Sequence, residues 1–163
     1  MRLVLPLAAM AAMACSGPVE PPPDPPGDVP TAPAELFDWL ERGEYRGYAR
    51  ESAAHPSAGP HPVEVLTYLN APLDSSVRAG RARHPIGATA VKELFRDGTL
   101  RGWAVMIKVR EDRTDGRAWY WYEVTGRDPG RRTDPDFAGV GLGSCTGCHS
   151  SGSDFLRTPI PLR

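Results

Sequence analysis

With 163 residues and a formal net charge of −1, the chain has room for one modest domain behind an N-terminal extension. The near-neutral balance leaves no basic stripe to release counterions, which argues against a nucleic-acid partner. Arginine supplies nearly all the positive charge, and lysine occurs only at Lys92 and Lys108. Chance usage would explain that bias. So would a position that needs an amine able to lose its proton and react, which arginine cannot do.

Residues 1–14 carry an early charge at Arg2 and then an apolar run too short to span a bilayer, the pattern of an export signal. Cys15 follows Ala12-Met13-Ala14 in a stretch that resembles the lipobox of bacterial lipoproteins. That resemblance implies cleavage before Cys15 and lipid attachment to it, leaving the chain tethered on the periplasmic side of a bacterial membrane. Ala12-x-Ala14 would equally serve an ordinary signal peptidase and yield a soluble periplasmic protein. Residues 15–33 are proline-rich with almost nothing to bury, and read as a disordered, extended linker. The folded domain is expected over 34–163.

Leu36, Phe37, Trp39 and Leu40 form the apolar face of an expected N-terminal helix, with Gly43 as its stop. Residues 44–62 read as irregular, and His55 and His61, each beside a proline, as exposed loop histidines. Four strand-like runs follow: Val63–Leu69, Ile86–Phe95, Leu100–Arg110 and Ala118–Thr125. A short helix through Ala79 separates the first two, and Asp97-Gly98 and Asp115-Gly116 make turns between the others. Residues 126–144 read as loop. The fold class is therefore mainly β (α+β): an antiparallel sheet of four to five strands, an N-terminal helix, and a short C-terminal helical turn.

Strand alternation puts Lys92 on the face of Ala88, Ala90 and Leu94, and Glu93 on the opposite face. A lysine among apolar neighbours either snorkels to water or is buried as a neutral, nucleophilic amine. Met106 shares a face with Ala104 and Lys108, as expected of core packing. The Trp119–Tyr122 run puts aromatics on both faces of one strand.

The C-terminal turn carries Cys145-Thr146-Gly147-Cys148-His149. Two thiols at this spacing with a histidine immediately after form the attachment pattern of c-type haem. Cys145 and Cys148 would make the thioethers and His149 the axial iron ligand. A thiol redox pair or half a zinc site are the other uses of CxxC. Arg157, just beyond, is a candidate partner for a haem propionate. Glu123, Asp134 and Asp136 are the acids available as proton acceptors in such a pocket.

Ile86-Gly-Ala-Thr-Ala-Val-Lys92-Glu93, then Val105-Met106-Ile107-Lys108, the aromatic Trp119–Tyr122 strand, and CTGCH followed by Asp154-Phe155 occur in that order. In this combination the chain resembles the cytochrome P-460 family over about residues 45–163. The resemblance implies a small, mainly β haem c domain with a five-coordinate iron. Catalytic members cross-link a lysine to the macrocycle and oxidise hydroxylamine, passing electrons to a small acceptor protein; that lysine falls on Lys92. Sister proteins, the cytochromes c′-β, bind nitric oxide without the cross-link. A simple electron carrier ligated by His149 and Met106 is a third use. Proteins of this fold also often pair as homodimers.

Overall fold

The computed structural model describes residues 29–61 and 64–162. The expected signal segment, Cys15 and most of the proline-rich linker lie outside them. Ordered packing starts slightly earlier than Ala34, since Val29 and Thr31 are already buried. Helix α1 runs Pro33–Glu41, with proline at the start, where its missing N–H costs no helical bond. A single 3-10 turn, Glu44–Gly47, follows. Strands β1 (Ala49–Arg50), β2 (His55–Pro56) and β3 (Glu64–Leu69) come next. Helix α2 spans Ala71–Arg78. Then come β4 (Thr89–Arg96), β5 (Thr99–Lys108), β6 (Trp119–Val124), β7 (Phe137–Val140) and α3 (Gly143–His149). Among the described residues no helix is long and apolar enough to cross a membrane.

The strands form one antiparallel sheet in the order β1-β3-β4-β5-β6-β7, with β2 also pairing β3. Seven strands replace the expected four to five, and each extra one has a physical reason for being overlooked. β1 and β2 are two-residue pairings on the edge of β3, too short to show alternation. β7 falls inside the expected 126–144 loop. Its Phe137 and Val140 flank two poor strand formers, Ala138 and Gly139, and Gly139 and Gly141 adopt positive φ at and beside it. The expected strand from Ile86 starts only at Thr89, because Gly87 turns the chain with φ 79°. Asn70 joins this start to α2: its side-chain oxygen accepts from Leu73 N at 3.1 Å and Thr89 N at 2.9 Å, while its amide donates to the Gly87 carbonyl.

The period of two gives the sheet two unlike faces. On one, Leu36, Phe37 and Leu40 of α1 pack over Leu66, Val91, Trp103, Val105, Tyr120 and Tyr122. Phe37 meets Trp103 edge-on at 6.0 Å. Arg127 and Arg132, from the loop before β7, pair with Glu41 and Asp38 and hold α1 down. Glu93 is buried on this face, where its carboxylate accepts from Tyr45 Oη at 2.5 Å and Tyr68 Oη at 3.0 Å. Trp103 Nε1 donates in turn to Tyr45 Oη at 2.9 Å. On the other face Leu69, Leu73, Ala90, Met106, Trp119, Trp121 and Leu156 form a second core. Trp119 and Trp121 thus serve this side of β6, and Tyr120 and Tyr122 the side under α1.

Glu93→Ala should destabilise the domain by about 2–4 kcal/mol, because it strips two buried hydroxyls of their acceptor. Glu93→Gln, which keeps an acceptor oxygen, should lose less. Urea denaturation at neutral pH checks both values.

Candidate functional site

A cavity of about 380 Å³ opens between the second face of the sheet, α3 and the C-terminal segment, within the size range of small-ligand sites. Its floor is made by neighbouring cross-strand partners. Lys92 of β4 pairs with Ala104 of β5, Ala104 with Glu123 of β6, and Glu123 with Phe137 of β7. Two residues along the strands, Ala90, Met106 and Trp121 form the adjoining row. All seven of these side chains line the cavity. Ala90 and Ala104 leave the floor low; Ala88, the other alanine on this face, is packed in the core instead.

Cys145, Cys148 and His149 close the opposite wall from α3. Both thiols are free, Cys145 half-buried and Cys148 exposed. Burial pushes the Cys145 thiol pKa up, opposed by its contact with the Ser144 hydroxyl. The helix is seated by a glycine: a Cβ on Gly116 would stand 2.0 Å from the Thr146 methyl. His149 Nδ1 lies 2.8 Å from the Phe155 carbonyl. A carbonyl only accepts, so Nδ1 carries the hydrogen and Nε2 of the neutral ring keeps its lone pair. Trp121 packs edge-on against the imidazole, with ring centres 4.8 Å apart. Burial holds the His149 pKa below its ordinary value. The bond to Phe155 opposes this, and neighbouring Lys92, His61 and Arg157 reinforce it.

Lys92 is half-buried and makes no ion pair within 4 Å among the described residues. Burial lowers its pKa below the ordinary 10.5; nearby Arg157 pushes the same way, and Glu51 and Glu123 push back. Arg157 is exposed at the cavity rim. Of the three acids considered, only Glu123 lines the cavity. Asp134 is exposed, and Asp136 binds Thr125 away from the site.

His55 and His61 are not the exposed loop histidines expected. Both are half-buried and line the cavity, because β2 draws their loop onto the edge of β3. His55 Nε2 lies 3.1 Å from the buried Glu51 carboxylate, whose other oxygen accepts from Thr67 N at 2.7 Å. His61 Nδ1 is 3.1 Å from Glu123 Oε2, although out of line for a good hydrogen bond. The two histidines carried no ligand-like spacing to reveal them; the pairing of β2 with β3 brings them in.

Comparison of the chain with known protein families finds no matching family, and no curated protein matches it. Chemical fit must therefore come from the residues. Among the described residues no three His, Cys, Asp or Glu side chains converge to hold a metal ion unaided. Two free thiols and one imidazole with an available Nε2 do fit a metal that arrives within its own macrocycle. Arg157 at the rim fits an anionic substituent of such a group.

Removing the Lys92 charge should stabilise the haem-free chain. At low pH folded and unfolded states both hold the proton, and the folded state bears the burial cost. As pH rises the folded state releases its proton first, so stability climbs until the unfolded amine titrates near 10.5. Lys92→Met should accordingly raise the urea midpoint most at pH 7 and least near pH 10. An equal gain at both values would contradict a buried, depressed amine.

Proposed function

We propose that the chain is an exported, mono-haem c-type cytochrome of the P-460 type that oxidises hydroxylamine or a related reactive nitrogen species. One observation carries the reading: Cys145, Cys148, His149 and Lys92 open onto the same cavity, although more than fifty residues separate the lysine from the CxxCH run in sequence. A thiol redox pair or half a zinc site would require neither Lys92 nor an oriented histidine.

A haem held there would supply an iron centre able to take electrons from a small bound nitrogen compound. The remaining tasks belong to the chain. Cys145 and Cys148 would anchor the group covalently, and His149, whose Nδ1 is committed to Phe155, would hold its iron through Nε2. Trp121 and Met106 bound the pocket with apolar surface, which limits water and strengthens electrostatic interactions inside. Lys92, with its lowered pKa, presents an amine to the pocket, and we assign it the cross-link to the macrocycle. A C–N bond in place of a macrocycle C–H would release two electrons and two protons, and would need a two-electron oxidant such as a peroxide to take them up.

Oxidising hydroxylamine releases a proton with each electron, and the proton needs a base in the pocket. We assign that role to Glu123, which lines the cavity floor beside His61. The presence of this acid favours turnover over nitric oxide capture of the cytochrome c′-β kind. Electrons leave singly to a small acceptor protein, and Cys15 tethers the domain at the membrane. Met106 belongs to the sheet core, which suits a pocket wall better than a carrier's second ligand.

Co-expression with a c-type haem maturation system should yield one covalent haem, lost in Cys145→Ala/Cys148→Ala. The reduced wild type should show a strongly red-shifted Soret band that reverts in Lys92→Arg. With an artificial acceptor, hydroxylamine should be oxidised well above a free-haem control, and Glu123→Gln should lower that rate about 10²-fold or more. Covalent haem without hydroxylamine oxidation would leave the gas-binding reading in its place.

A further inference from the structure

Lys108 and Asp154 stand outside the cavity lining yet form the most deeply buried ion pair of the domain, with side chains 0% and 4% exposed. Lys108 Nζ donates to both carboxylate oxygens, at 2.9 and 2.8 Å. The same carboxylate accepts from His84 N at 2.8 Å, and the Trp119 ring centre lies 4.9 Å from the ammonium. Asp154 therefore joins three remote pieces of chain: the end of β5, the turn before β4, and the segment after α3. Asp154 and the next residue, Phe155, both have left-handed backbones, φ 45° and 69°. Successive non-glycine residues adopt that conformation only where their surroundings over-determine it. This strained turn presents the Phe155 carbonyl to His149 Nδ1, while the Phe155 ring packs against Trp121 with centres 6.4 Å apart.

We propose that Lys108 and Asp154 are positioning residues for His149: their buried ion pair clamps the Asp154–Phe155 turn, and the turn sets the tautomer and orientation of the imidazole. With the clamp in place Nδ1 is the protonated nitrogen and Nε2 is held towards the cavity. This is the outer-sphere support that a histidine ligand requires, supplied here by a carbonyl whose own position depends on the charge pair of the preceding residue. The significance for iron rests on the haem reading above; the tautomer itself does not, and it can be measured without haem.

The test is histidine-selective 15N NMR of the full chain at mildly alkaline pH, where the ring is neutral. Wild-type His149 should show a single Nδ1–H tautomer. Lys108→Met/Asp154→Leu replaces the pair by apolar groups, an exchange that buried ion pairs often tolerate. It should convert His149 to a mixture dominated by Nε2–H. Asp154→Asn, which keeps an oxygen for His84 N but loses the charge, is the second variant and should give an intermediate mixture. In the haem-loaded protein the iron–histidine stretching band should shift and broaden in the same order. Either variant, folded by circular dichroism and still wholly Nδ1–H, would overturn the proposal. A wild type that attaches no haem but shows the Nδ1–H tautomer would sink the haem reading and leave the positioning role intact.

Discussion

Strand alternation at Lys92-Glu93 is the constraint on which both layers of this domain depend. Two adjacent charged residues in the middle of a sheet must point to opposite sides, and each side must then accommodate one. The protein does so asymmetrically. Glu93 enters a dry core and is met by Tyr45 and Tyr68, which fastens the α1 layer to the sheet. Lys92 enters a space bounded by Ala104 and Glu123 that is left open as a cavity. One face has become the scaffold and the other the site.

The site itself is assembled at right angles to the chain. Its floor follows the hydrogen-bonding direction across β4, β5, β6 and β7, so residues far apart in sequence become lateral neighbours. Its wall is a seven-residue helix with little internal stability of its own. That helix depends on contacts from elsewhere: the Gly116 seat beneath Thr146, Trp121 against the imidazole, and the Asp154–Phe155 turn. A rigid sheet carrying a weak helix is a workable design for a covalent group, because attachment would add rigidity where the chain alone has least.

Sequence reasoning reached what depends on local order and missed what depends on strand pairing. The α1 face, the main strands and the side to which Lys92 points were all legible from periodicity. The CTGCH run raised the expectation of haem attachment by its spacing alone. β7 was hidden because glycine-rich segments advertise turns, although here Phe137–Val140 completes the floor. His55 and His61 looked like loop residues because nothing local announces that a two-residue strand will pin them to β3. Lys108 was grouped with Met106 by alternation, but its partner lies 46 residues downstream, a distance no local pattern spans.

The two lysines have a joint consequence for the exterior. Lys108 is sealed behind Asp154 and Trp119, and Lys92 faces an internal cavity. Since the chain has no other lysine, the outer surface of the domain carries its positive charge entirely as guanidinium. Apart from the α-amino terminus, it therefore offers lysine-directed chemistry no foothold outside the cavity. Reagents that acylate lysine must here pass through the mouth of the cavity. The yield of modified Lys92 would then report how open that mouth stands.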